Sequence, residues 1–342
     1  MRLAALAIGL SVAWIGPAFA AGTARPPAAA PTAIALPGGT GGVGFDDLGF
    51  SDAMDRVLLP GGRTGKLFLV NPATSAVTSI SGFGTASGYT GGHRDGITSV
   101  TEGAGLLFVV DRTRKELCLV DPAKRSIVSH APLGAIPDYV RWIDPTHEIW
   151  VTEPESTRIE VFRLETGNPP RAVRAGTIAV EGGPESLTLD LKHRRAFTNI
   201  GAGTAAIDFR SRAMVGLWEN GCDRASGIAL DAQRGFLFVA CFLGNVNVLD
   251  LASGAIVDST RLGPGVDIIS YSPELGHLYV PSSRTKTLTI LGVSTGGTLT
   301  SLGTFPGPAD SHSVAAAGKV FLTDQANGRL LAVTDPYPSS VH

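Results

Sequence analysis

Apolar residues in this chain come in short runs separated by polar turns, and the helical spacing of three or four is nearly absent. One arrangement recurs: a short apolar run, a polar turn, then a second, stronger apolar run. It appears as "DDLGFSDAMDRVLLP" from Asp46, "DGITSVTEGAGLLFVVD" from Asp95, "DYVRWIDPTHEIWVTE" from Asp138 and "ESLTLDLKHRRAFTN" from Glu185. It returns as "SGIALDAQRGFLFVAC" from Ser226, "DIISYSPELGHLYVPS" from Asp267 and "HSVAAAGKVFLTD" from His312. The starts lie 49, 43, 47, 41, 41 and 45 residues apart. Runs of this length bounded by Gly, Pro and Asp read as strands joined by tight turns.

A period of 41–49 residues marks propellers and solenoids. The rest of each unit supplies two further strands, as "TLTILGVS" and "LTSLGTF" do after "HLYVPSS". Four short strands per unit make a propeller blade, and seven units make seven blades. The last unit ends after its third strand, "RLLAVTDP", while a spare strand, Thr32–Leu36, lies near the N-terminus. Pairing the two would close the ring and leave no exposed edge at the junction. The expected fold is therefore all-β: a seven-bladed propeller of four-stranded antiparallel blades over residues 32–342, closed by the N-terminal strand. "GFLFVACFLGNVNVLDLASGAIVD" and "LLFVVDRTRKELCLVDPAKRSIVS" resemble the strand–turn–strand core of the YVTN, or YncE-like, repeat propellers. The resemblance covers about residues 40–336 and implies a seven-bladed, usually exported propeller. Its members have varied roles, so it assigns no activity.

Composition agrees with turn-rich β structure: 43 Gly and 22 Pro in 342 residues, with 17% charged residues. The net charge is −2, and no Lys/Arg run is present, which argues against a nucleic-acid partner or an anionic lipid surface. "MRLAALAIGLSVAWIGPAFA" reads as a cleavable secretory signal over residues 1–20. It has Arg2 ahead of an apolar run, Gly16-Pro17, and small residues at Ala18 and Ala20. A membrane anchor is the alternative, marginal in length at about 18 uncharged residues. Residues 21–31 form a Pro/Ala-rich tether. The expectation is a periplasmic or secreted monomer with no transmembrane segment once the signal is removed. Its partner, a small molecule or a protein, would meet the funnel face.

In a propeller the first strand of each blade lines the central channel, so the blade-start residues converge on one funnel. Here they are Asp46, Asp95, Asp138, Glu185, Ser226, Asp267 and His312. The ends of the second strands, Asp111, Glu153, Asn199, Ser282 and Asp324, are expected around the same mouth. Five converging carboxylates repel one another at low effective dielectric. Three remedies are open: neutralisation by the neighbouring Arg94, Arg141 and Arg224, a bound divalent cation, or a cationic organic ligand. Oxygen donors suit Ca²⁺ or Mg²⁺, while His312 and His93 shift the preference toward Zn²⁺. Calcium-dependent lactone hydrolases on similar propellers hold one ion with a Glu, two Asn and an Asp. This chain matches in part, with Glu185, Asn199 and Asp267, and lacks a second Asn; His312 is a further candidate ligand. In that reading the protein is a metal-dependent hydrolase, and Asp138 or Asp267 activates water. A structural protein-interaction platform is a third reading and needs no funnel chemistry.

Other motifs carry less. "GGTGGVGF" at 38–45 lacks the Lys-Ser/Thr of a phosphate loop and reads as a flexible turn. No H-E-x-x-H or C-x-x-C-H occurs. His130, His147, His193 and His277 fall in turns and are expected to be solvated. Trp142 and Trp150 read as blade packing, and Trp218, just before the loop "ENGCDRAS", as packing or as a wall of the ligand pocket. Cys222 and Cys241 bracket a strand pair whose ends meet in an antiparallel hairpin, so a disulfide is expected. Its loop is worth about 3 kcal/mol on the chain-entropy account. Cys118, in mid-strand, is expected to be a buried free thiol.

Overall fold

The computed structural model describes residues 30–341 except 202 and 317. The signal-like residues 1–20 and most of the tether lie outside the described residues. Seven four-stranded antiparallel sheets follow one another around a ring. Blade 1 spans 49–81, blade 2 97–132, blade 3 140–179, blade 4 185–219, blade 5 225–261 and blade 6 270–306. Blade 7 takes three strands from 313–334 and its outermost one from Thr32–Ala35. That strand runs antiparallel to Arg329–Thr334, with Ile34 opposite Leu330. Two one-turn 3-10 segments, Asp144–Thr146 and Pro154–Ser156, interrupt blade 3.

Burial explains the strand patterns. The second strand of a blade is sandwiched between neighbouring blades, so both of its faces need apolar or satisfied side chains. Glu148–Glu153, Phe236–Cys241 and His277–Ser282 are buried at every position. Outermost strands such as Met214–Glu219 and Ile256–Arg261 alternate between half-buried and exposed. Cores therefore form between adjacent blades. At the closure Ile34 and Leu36 join Val57, Leu59 and Phe68 of blade 1 and Phe321 and Leu330 of blade 7.

The glycine-rich stretch 38–45 is packed rather than loose. A Cβ on Gly39 would stand 2.0 Å from the Gly328 carbonyl oxygen, and one on Gly44 2.0 Å from that of Gly92. The bare backbone lets neighbouring loops touch, which a composition reading could not reveal. The disulfide forms as expected, joining Cys222 to Cys241 with Cα atoms 5.2 Å apart, and Cys118 is a buried free thiol. His277 departs from its expected turn. It lies fully buried in blade 6, where the C-terminal tail covers it: Nδ1 lies 2.7 Å from Asp335 Oδ2 and Nε2 3.1 Å from Ser340 Oγ. His130 sits on the outer strand of blade 2 rather than in a turn, though exposed.

Candidate functional site

The loops leading into the first strands meet at one end of the central channel. Their positions are set locally by a threonine near the end of the second strand in blades 3, 4 and 7. Thr152 Oγ1 accepts from Tyr139 N at 2.8 Å, and the Asp138 amide donates to the Thr152 carbonyl at 2.9 Å. Thr323 Oγ1 accepts from His312 N at 2.9 Å in the same way. Thr198 Oγ1 instead donates to the Ser186 carbonyl at 2.7 Å. These side-chain bonds fix the backbone beside Asp138, Glu185 and His312.

Asp46, Asp138, Asp267 and His312 come together as expected, and Glu185 stands exposed at the edge of the group. In blade 2 the position falls to His93 rather than Asp95. His93 Nε2 lies 3.6 Å from Asp46 Oδ2. This approach needs Gly44, since a Cβ there would also stand 2.9 Å from His93 Cα. His312 uses Nδ1 on the Asp46 backbone carbonyl at 2.9 Å, which leaves Nε2 3.5 Å from Asp267 Oδ2. Arg112, which sequence reading missed, places Nη1 3.3 Å from Asp138 Oδ1 and 3.4 Å from the His93 carbonyl. Its signal was its place directly after Asp111, at a second-strand end.

Burial and mutual charge shift these groups from their ordinary ranges. Burial pushes the Asp46 carboxyl up to about 8; His312 and Arg112 oppose the rise, and Asp267 and Asp47 add to it. Burial, then Asp46 and Glu185, raise Asp138 well above the carboxylate range. Desolvation at the crowded mouth, then Asp267, raises Glu185. His93 is lowered by burial and by His312. Burial would lower His312, but its contact with Asp267 and the charges of Asp267 and Asp46 lift it to about 9. Burial would likewise raise Asp267, yet His312, His93 and Arg224 outweigh it and hold it low. Oδ2 of Asp46 is buried without a hydrogen-bond partner.

A cavity of about 300 Å³ opens over this cluster, lined by His93, Asp267, His312, Arg284, Asp310 and Phe242 among others. A second space of about 100 Å³ lies around Asp47, Tyr139, Arg141 and Ser270. There Arg141 grips both oxygens of Asp47, at 2.5 and 3.0 Å, so its partner is Asp47 and not a mouth carboxylate.

Several expected site residues are engaged elsewhere. Asp95 and Arg94 line a small side pocket with Arg63 and Tyr89, because the long approach loop of blade 2 puts His93 at the axis instead. Ser226 Oγ donates to the Val266 carbonyl at 2.9 Å, tying blade 5 to blade 6. Asn199 donates to the Ser226 carbonyl at 2.9 Å and accepts from Thr204 at 2.8 Å, so its amide clamps blades 4 and 5. Trp218 belongs to an outermost strand, packed on Phe197 with ring centroids 5.1 Å apart, away from the mouth. Arg224 is exposed and stacks on Phe242, Cζ 4.3 Å from the ring centroid. Second-strand carboxylates face the connecting loops: Asp111 accepts from Gly84 N at 2.6 Å and Glu153 from Ala135 N at 2.9 Å.

As a whole, the arrangement offers carboxylate and imidazole donors beside a polar cavity, suited to holding a cation or a small polar ligand. Among the described residues no helix is long and apolar enough to cross a membrane.

No family model matches the chain, and no curated protein does. Solved structures do match, and widely. A chain of the mitotic checkpoint complex aligns at 14% identity over 96% of this chain and all of its own length, with a TM-score of 0.71. The U3-55K structure aligns at 9% identity over 89% of this chain and 98% of that one, also at 0.71. Hydrazine synthase of Kuenenia stuttgartiensis aligns at 12% identity over 87% and 96%, at 0.68. At these identities the likeness establishes the propeller fold alone.

Proposed function

We propose that this chain is an exported propeller of the YVTN, or YncE-like, kind that binds a small ligand with a cationic group at its axial mouth. The disulfide is the mark of an oxidising compartment, and the sequence of residues 1–20 reads as the leader that would deliver it there. The three solved relatives belong to proteins of different kinds, in keeping with a scaffold whose function lies in its site rather than its fold. The observation that carries the reading is the buried, unpartnered oxygen of Asp46 beside Asp138, Glu185 and Asp267. An unsatisfied buried acceptor is costly, and a positive group arriving at the mouth removes that cost.

The test is a thermal-shift screen of organic amines, quaternary ammonium compounds and divalent metal salts, run on the native chain and on an Asp138→Asn, Asp267→Asn double variant. A compound that stabilises the native chain and leaves the double variant unmoved supports the reading. A hit that stabilises both equally sinks it, as does a screen in which only anions bind.

A further inference from the structure

We infer that the mouth is a mononuclear site for a divalent first-row transition cation, held by Asp46, His93 and Asp138. The inference rests on the ligand-binding reading above and names the cation. The three residues come from three successive blades, each just ahead of its blade's first strand. Their donor atoms all lie within 4.8 Å of one another. The best-defined pair, His93 Nε2 and Asp46 Oδ2, is 3.6 Å apart. Donors around a tetrahedral Zn²⁺ with bonds of 2.0–2.1 Å stand roughly 3.3 Å apart, so that pair needs to close by only a few tenths of an ångström.

A second observation points to a ligand independently of the clustering. Asp46 is 4% exposed, and its Oδ2 has no hydrogen-bond partner although it faces His93. Each donor is also fixed from behind. His312 Nδ1 holds the Asp46 backbone carbonyl at 2.9 Å, Arg112 reaches the His93 carbonyl at 3.4 Å, and Thr152 fixes the backbone at Asp138. Arg112 approaches Asp138 through Oδ1 at 3.3 Å and steadies that carboxylate. Such supporting contacts orient ligands and tune affinity.

The donor set selects the metal. One imidazole with two carboxylates suits Zn²⁺, Mn²⁺, Fe²⁺ or Co²⁺. Ca²⁺ asks for six to eight oxygens, more than this cluster supplies. Three protein ligands leave a coordination position open, as in sites that bind an exogenous molecule rather than purely structural ones. That position has an outlet, because His93 also lines the 300 Å³ cavity. His312 and Asp267 face each other at 3.5 Å on the same wall.

The test uses tag-free full-chain protein stripped with a chelator. Equilibrium dialysis against Zn²⁺ should give one ion per chain. Asp46→Asn and His93→Gln should each weaken binding about 100-fold or more, given that loss of a mere supporting partner costs 10–100-fold. Cys118→Ala, which alters the separate Glu116–Cys118–His130 cluster of blade 2, should change nothing. Cu²⁺ bound to the unmodified protein should show one imidazole nitrogen by electron paramagnetic resonance, a readout that stands even if a variant fails to fold. Three results overturn the assignment: no uptake at micromolar Zn²⁺, uptake that survives His93→Gln but not His312→Gln, or a Cu²⁺ spectrum with no nitrogen or with two. An organic cation that stabilises the stripped protein in the absence of metal uptake would overturn the metal site alone and leave the ligand-binding reading standing.

Discussion

Ile34 is the side chain by which the N-terminal strand closes the ring, and Ile34→Ala tests that closure quantitatively. Ile34 is 4% exposed, while its strand neighbours Thr32, Ala33 and Ala35 face solvent. The change removes three carbons, worth roughly 0.8 kcal/mol each in transfer alone. A residual cavity adds to this; an outermost strand can settle inward, so the lower part of the usual 2–5 kcal/mol range applies. The expected loss is about 2–3 kcal/mol. A ring of about 310 residues unfolds with an entropy of roughly 0.65 kcal/mol/K, so Tm should fall by about 3–5 °C. Ala33→Ser, on the exposed face of the same strand, should move Tm by less than about 1 °C. The assay is calorimetry on both variants. If closure couples the ends of the ring, Ile34→Ala shifts a single transition. Equal melting of the two variants would refute the coupling, because a buried residue that costs nothing to truncate is not holding an edge. So would an early, separate transition for blade 7.

Two further outcomes follow from the same structure. Replacing Cys222 and Cys241 by Ala should cost about 3 kcal/mol on the chain-entropy account, lowering Tm by roughly 5 °C in calorimetry, and Cys118 should become alkylatable only on unfolding. In chelator-treated protein, stability should fall with rising pH: His312 is raised to about 9 from 6.5, so its contribution is complete below 6.5 and lost through about 9. Asp46, raised from 3.8 to about 8, acts in the same direction, its contribution falling away as pH rises towards about 8. Urea titrations from pH 6 to 9.5 should show this slope, and His312→Gln should flatten it; a slope of opposite sign would show that neither group is held as described.

The blades were legible because their determinants are local. A strand buried on both faces must be apolar along its length, and the polar turns that separate such strands recur at nearly constant spacing. The closing strand was legible by counting, and the disulfide by the meeting of hairpin ends. Side-chain direction at the axis was not legible to the same degree. In blades 1, 3, 6 and 7 the repeat pointed to Asp46, Asp138, Asp267 and His312, which meet at the axis, with Glu185 of blade 4 exposed at their edge. Blade 2 slipped by two residues because its approach loop, residues 82–96, is longer than that of blade 3, and so His93 rather than Asp95 reaches Asp46. Trp218 shows another limit: it lies four residues before Cys222 in sequence, yet it belongs to an outermost strand and packs on Phe197. His277 depends on Asp335 and Ser340, partners with no local signature, supplied by a tail that follows the last strand.

Adjacent residues at the axis meet opposite fates, and the contrast bears on function. Asp47 is gripped by Arg141 through two hydrogen bonds and accepts a third from Ser99 at 2.5 Å. Asp46, one residue earlier and equally buried, has a bare oxygen. Cations are not scarce near the mouth: Arg284 lines its cavity, and Arg224 lines a neighbouring pocket with Glu185. Both are stacked on one ring instead, their Cζ atoms 4.3 and 5.2 Å from the centroid of Phe242. Stacking on an aromatic face stabilises a guanidinium where it is, and here it keeps two positive charges beside the cavity rather than on Asp46. A channel shaped only for stability would place one of them on Asp46, as Arg141 is placed on Asp47. The mouth is instead organised so that Asp46 is buried, with Oδ2 facing His93 at 3.6 Å and no hydrogen bond made to it. A cation from outside is what that arrangement fits.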